Sequence, residues 1–419
     1  MTQPGRMMIR VEEPLEVLPA GTAEPILTVL PVGLATREEL PVATAFEDPP
    51  LSLAGRIFWT IVGIPEWLFG LASVLVGLAI LAALPLLQFL SLGYLLESGG
   101  RVARTGRFRD GFVGIRKAAR IGGMALGIWL CLLPARIVSD LAHSAQIIDP
   151  NGRVAAAWRL GLLILLALTF AHIVMACARG GKLRYFFWPF NFVWLMRQLR
   201  RGVYYAQSRD RFWHAITSLR LPYYFWLGLR GFVAALAWLF IPVSMLAFGR
   251  LNRPITDLLA FLGALLLTWV LMYLPFLQLR LAQTNRFRSA FEWLAVRREF
   301  RKAPWAHAVA FVVTLAFALP LYLLKIEMVP REAAWLPSLF FVGFIYPSRL
   351  LTGWALGRAM RRGDRPRHWL FRWTGRLVFI PVALFYVLIV FFTQYTSWNG
   401  VWSLYEQHAF LVPVPFLGM

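Results

Sequence analysis

Long apolar runs alternate with short polar connections along most of this chain. A helix needs about 20 largely apolar residues to cross roughly 30 Å of hydrocarbon. Eight segments meet that need: roughly Trp67–Phe89, Ile121–Val138, Leu160–Ala178, Gly231–Phe248, Ile255–Leu279, Ala306–Leu324, Trp335–Leu356 and Leu377–Ser397. The first belongs to a longer run, Ile57–Leu96, interrupted only by Glu66. Within it, Leu53–Ile64 reads as an interfacial helix and Pro85 as a kink, with two spans packed into the run as the alternative. The pattern predicts an all-α, polytopic transmembrane bundle of about eight spanning helices over residues 53–397.

Charge follows the same alternation. The connections 97–120, 179–230, 280–305 and 358–376 carry seven, ten, seven and seven Lys or Arg, whereas the intervening 136–159, 250–257, 325–332 and 398–419 carry seven in all. Basic connections at every second crossing are the charge asymmetry of cytoplasmic loops. The expected location is a cell inner (cytoplasmic) membrane, with these loops on the cytoplasmic side. Eight spans would then leave both termini on the far side; a ninth, within Ile57–Leu96, would bring the N-terminal tail inside.

Composition agrees. Of 419 residues 59% are apolar and 15% charged, with 18 Trp and 33 Phe, and a soluble chain lacks the interior to hide that much apolar surface. Residues 1–52 differ: the first 50 hold eight Pro, eight acidic and three basic residues, the composition of a disordered tail. No secretory signal pattern opens the chain. Cys131 and Cys177 fall in apolar segments and imply neither a disulfide framework nor a metal site.

The basic connections contain two amphipathic stretches that read as interfacial helices. In "PFNFVWLMRQLRRGVYY", Arg197, Arg200 and Arg201 share one helical face, opposite Phe192, Met196, Leu199 and Val203. Arg286–Lys302 places Phe287, Phe291 and Leu294 together. Either stretch packs on the bundle's inner rim or recognises lipid. The first basic connection, with Arg101, Arg104 and Arg107, matches neither a P-loop nor a GxGxxG turn. No nucleic-acid-binding module accompanies it. The expected partners are the lipid bilayer and anionic lipid headgroups, with an unidentified membrane protein as a further candidate and no nucleic acid.

Chemistry-bearing groups inside the apolar segments are few. Arg349 follows Pro347 and Ser348 in the seventh; it reads as snorkelling to the inner boundary or as a functional intramembrane charge. His172 in the third reads as a hydrogen-bonded packing residue or as a proton relay. Glu97, at the end of "GYLLE", reads as a rim ion pair. No catalytic set, metal-ligand spacing or cofactor motif is present in the sequence. The last residues, 398–419, carry Trp398, Trp402, Tyr405 and Phe410 and read as an aromatic cap on the outer face. Three segment exits are loosely alike, "PLLQFLSLGYLLESGGRVARTGRFRDGF", "PFLQLRLAQTNRFRSAFEW" and "PSRLLTGWALGRAMRRGDRPRHW", each a Pro-containing run followed by arginines.

The segment "FLSLGYLLESGGRVARTGRFRDGFVGIRKAARIGG", Phe89–Gly123, with "KIEMVPREAAWLPSL" and "TQYTSWNGVWSLYEQHAF", resembles a bacterial family of multi-pass membrane proteins that is a domain-of-unknown-function group. The resemblance implies a bacterial inner-membrane protein and supplies no activity. Three functional classes follow: a membrane structural or interaction protein, a small-solute transporter or channel built on Pro-broken spans, and a lipid-acting intramembrane enzyme.

Overall fold

The computed structural model describes residues 53–200, 209–210, 213–214, 216–251, 253–323, 335–363, 366–397, 400–407 and 410–413. The acidic tail, Arg201, Val203 and Trp398 lie outside the described residues. Among the described residues there is no strand; the fold is an all-α bundle within the body Ile57–Met419.

Twelve α-helices are described: α1 (Leu53–Ala83), α2 (Gln88–Thr105), α3 (Ile115–Ile148), α4 (Arg153–Ala178), α5 (Leu183–Phe186), α6 (Asn191–Leu199), α7 (Leu221–Ala247), α8 (Pro254–Thr284), α9 (Trp293–Lys302), α10 (Pro304–Leu323), α11 (Trp335–Met360) and α12 (Trp369–Thr396). Helices α1, α3, α4, α7, α8, α11 and α12 are long and apolar enough to cross a membrane. Helices α9 and α10, bent by 115° at Ala303, make an eighth candidate if the pair is one span. Seven of the eight expected segments fall on one of these; the first, Trp67–Phe89, runs past the end of α1 and into α2.

The run Ile57–Leu96 is not one kinked span. Helix α1 is continuous from Leu53 through Pro65, so no separate interfacial helix precedes it. The chain then breaks at Leu84–Leu87, where Leu86 takes φ 65°, and α2 runs back beside α1. The reversal is fixed by contacts: Trp67 of α1 stacks edge-on against Phe112, beyond the end of α2, at 5.3 Å. Val74 and Leu78 of α1 pack in one cluster with Leu95 and Val102. Pro85 removes a backbone donor where a helix would have to continue, and the break becomes a turn.

Helix α2 has a composition unlike a lipid-facing span because protein surrounds it. Gln88, Ser91, Glu97 and Ser98 are buried along with its leucines. Its neighbours are α7, α8 and α11, and they approach through glycine. A Cβ on Gly93 would stand 1.8 Å from the Tyr224 carbonyl oxygen, and one on Gly228 1.9 Å from that of Phe89. On the other side, a Cβ on Gly353 would meet the Gly99 carbonyl oxygen at 2.2 Å. In lipid, helices gain little from apolar contact as such, so close backbone approach through small residues is what holds them together.

Two of the three similar exits share one local structure. Thr105-Gly106-Arg107-Phe108-Arg109-Asp110-Gly111-Phe112 after α2 aligns with Thr284-Asn285-Arg286-Phe287-Arg288-Ser289-Ala290-Phe291 after α8. Gly106 (φ 73°) and Asn285 (φ 55°) each end their helix in the left-handed region, where Gly and Asn are the favoured residues. Each Thr hydroxyl donates to the carbonyl four residues back, at 3.0 Å in both, and accepts the amide two residues on. A 3-10 turn follows in each, Phe108–Gly111 and Phe287–Phe291. Arg286–Lys302 is therefore a turn and then a helix, α9, and not one amphipathic helix. The exit of α11 lacks this turn; its chain bends at Arg361–Gly363.

Helices α3 and α4 pair with each other and leave most of their apolar surface uncovered, only 17% and 6% of their most apolar windows being buried. Phe170, Leu168 and Ile137 are among the exposed residues. That is the surface expected where lipid is the solvent.

Candidate functional site: a buried arginine and a basic end

The basic connections meet at one end of the bundle, tied together by their arginines. Arg104 of α2 donates to the Ala282 and Gln283 carbonyls of α8 at 3.0 and 3.2 Å. Arg230 of α7 donates to Asn285 Oδ1 at 2.7 Å. Arg280 of α8 bridges Glu292 at 2.8 Å and Glu299 of α9 at 2.6 Å. Arg362, after α11, donates to the Lys302 carbonyl at 3.2 Å. Cationic side chains at helix C-termini satisfy carbonyls that the helix leaves free and complement its dipole.

Glu97 is the anionic centre of this end. It is 4% exposed and accepts from Arg101 at 2.9 Å, Arg104 at 2.7 Å and the Tyr223 hydroxyl at 2.8 Å. The rim pair expected from sequence is thus a buried, three-donor carboxylate. A buried charge with this many charge-assisted donors is held in place, whereas removing one partner would strand the others. Arg101 and Arg104 spend their guanidinium groups on Glu97 and on helix ends. Arg107 is exposed, as are Arg197 and Arg200, whereas Arg201 lies outside the described residues. Beside Arg197, the apolar side of α6 is open: Phe192 and Leu199 are exposed, the disposition of an interfacial helix.

Arg349 does not snorkel. It is 2% exposed and donates from Nη1 to Gln278 Oε1 at 2.7 Å. Gln278, 1% exposed, passes the bond on. Its Nε2 donates to the Phe410 carbonyl at 2.6 Å and to that of Gly231 at 3.3 Å. One turn beyond Arg349, the Thr352 hydroxyl donates to Ser348 O at 2.8 Å and sits 3.2 Å from that of Thr314. Three helices and the C-terminal segment therefore meet in the buried Arg349–Gln278 chain, and α10 places Thr314 against Thr352 one turn away.

The C-terminal segment goes deeper than a surface cap. Its 3-10 turn, Gly400–Tyr405, lies on α12 and α7, with Tyr405 Oη 2.7 Å from Ser244 Oγ. Gln407 and Phe410–Val412 are buried; Tyr386 donates to Gln407 at 3.2 Å. Among the described residues of that expected aromatic set, Trp402 stands well out, 74% exposed.

His172 of α4 lies 2.9 Å from the Phe186 carbonyl, which joins α4 to α5. No hydrogen bond joins it to the Arg349 chain among the described residues. Sequence reasoning passed over Gln278 because it looked for ionisable groups; a lone amide in the apolar run "PFLQLRL" was the available signal. It also passed over His307, fully buried between Phe276 and Phe300. His307 Nδ1 lies 2.9 Å from the Ala303 carbonyl, at the bend between α9 and α10. Compared with protein-family models, curated proteins and solved structures, the chain matches none.

Proposed function

We propose that this chain is a multi-pass protein of a bacterial inner membrane that works by interaction, as a structural or docking component, and does not move solute. Its basic end faces the cytoplasm and its anionic-headgroup contacts hold it in register. One observation carries the reading: the polar centre of the bundle is plugged. Arg349 is buried and donates to Gln278, and Gln278 donates to the Phe410 carbonyl of the C-terminal segment, with Phe410 itself buried there. A transport path needs polar groups facing water at this depth; here they face protein.

The test is reconstitution. Liposomes carrying the protein are expected to keep the permeability of empty liposomes to small cations, anions and uncharged solutes. A saturable, protein-dependent flux that disappears in Arg349→Met would overturn the reading. It would favour the second one, a small-solute transporter, which rests on the presence of a buried arginine inside the bundle.

A further inference from the structure

Three arginines at the basic end share one groove without a carboxylate among them. Arg101 and Arg104 share Glu97, and Arg280 has Glu292 and Glu299. Arg358, Arg362 and Arg367 line a single groove of ≈ 420 Å³, and among the described residues no carboxylate pairs with any of them. Asp364 lies outside the described residues. The groove is bounded by the α9–α10 bend, the end of α11 and the start of α12.

Each guanidinium is positioned without being neutralised. Arg358 lies over the Trp354 ring at 5.2 Å and Arg367 over that of Phe371 at 5.6 Å. Arg362 makes its one bond to the Lys302 carbonyl, and the Arg367 amide donates to the Arg301 carbonyl at 3.0 Å. Desolvation, then the charges of Arg367 and Arg358, pull the Arg362 guanidinium below its ordinary value. Gathering three like charges in one groove is unfavourable unless an anion joins them, and guanidinium forks match phosphate oxygens.

The rest of the groove identifies the anion's other half. Trp305 and Val309 of α10 also line it, and they are 45% and 48% exposed. Phe371 of α12 is exposed beside them. Helix α12 is a candidate membrane-crossing element and α10 is one jointly with α9, so this apolar wall is placed where acyl chains would lie. A cationic rim over an apolar wall suits an amphiphile with an anionic head.

We propose that this groove is a binding site for an anionic phospholipid, with Arg358, Arg362 and Arg367 on its phosphate and Trp305, Val309 and Phe371 against the start of its acyl chains. The inference rests on the membrane reading above and narrows its headgroup contacts to one site.

The test uses the full-length protein in uncharged detergent, titrated with phosphatidylglycerol, phosphatidylcholine, glycerol phosphate or inorganic phosphate. Bound lipid is counted by native mass spectrometry. The parent protein is expected to retain phosphatidylglycerol over phosphatidylcholine. Retention should fall about tenfold or more in the triple variant Arg358→Gln/Arg362→Gln/Arg367→Gln. It should persist in Arg107→Gln/Arg109→Gln/Arg288→Gln, which changes net charge equally at exposed positions. Should the first triple variant fail to elute as a single species, the single variant Arg362→Gln, at a half-buried side chain, is read instead and is expected to weaken retention several-fold. Equal retention in both triple variants, or no preference over phosphatidylcholine, overturns the site. Displacement of the lipid by inorganic phosphate alone assigns the groove to free phosphate and also overturns it. None of these outcomes bears on liposome flux, so the two proposals fail separately.

Discussion

Arg349 donates to Gln278 across 2.7 Å, and Gln278 hands the bond on to the Phe410 carbonyl at 2.6 Å. The pair joins α11 to α8 and both to the C-terminal segment. Its members depend on each other, because a buried charged donor stripped of its acceptor costs more than the bond itself contributed. Gln278→Leu is expected to destabilise by about 2–3 kcal/mol, and Arg349→Met by a similar amount. The double variant should cost clearly less than their sum. Unfolding midpoints in detergent measure this; additivity within about 0.5 kcal/mol would mean the two side chains are energetically independent.

The glycine crossings between α2 and α7 make a sharper prediction. Gly93→Ala and Gly228→Ala each put a methyl group into a backbone carbonyl, which no side-chain rotation relieves. Each is expected to cost about 3 kcal/mol or more and to broaden the size-exclusion profile. Gly77→Ala and Gly161→Ala, where a Cβ meets nothing within 4 Å, should behave as the parent. Equal behaviour of the two sets would show that α2 is not held where described.

The α1–α2 reversal sets a topology that thiol labelling can read. In a Cys131→Ala/Cys177→Ala background, Gly63→Cys and Arg109→Cys are expected to react with an impermeant reagent from the same side of the membrane. Asn151→Cys, between α3 and α4, should react from the other. All three positions are exposed. Reaction of Gly63→Cys from the Asn151 side would mean that α1 and α2 form one span after all.

These two predictions concern what was hardest to read in the sequence. Hydropathy located the helices that face lipid, because a helix in hydrocarbon must be apolar all round. It offered α2 only as the second of two spans packed into Ile57–Leu96, because Gln88, Ser91, Glu97 and Ser98, though covered by protein, lower its mean hydropathy. The reversal at Leu84–Leu87 was hidden because three of its four residues are leucine, and an apolar turn looks like a continuing span. Charge counting found the basic connections yet could not tell which arginines are consumed internally. Arg101 and Arg104 turn inward because Glu97 is buried beneath them, and nothing local in the sequence says so. Arg349 was visible as a charge in an apolar run; that it is buried and bonded follows from Gln278, 71 positions away in the chain.

The central claim is that the bundle's polar centre is closed to water. Thr352 tests it most directly: it is 1% exposed, one turn from Arg349, and cysteine replaces threonine there with little change in size. In the cysteine-free background, reconstituted Thr352→Cys should stay unmodified by an impermeant thiol reagent applied from either side, over the time in which Asn151→Cys is fully modified. Unfolding in detergent should then expose it. Modification of the folded protein from either side would mean a water-filled path to the Arg349 centre, and would contradict the account.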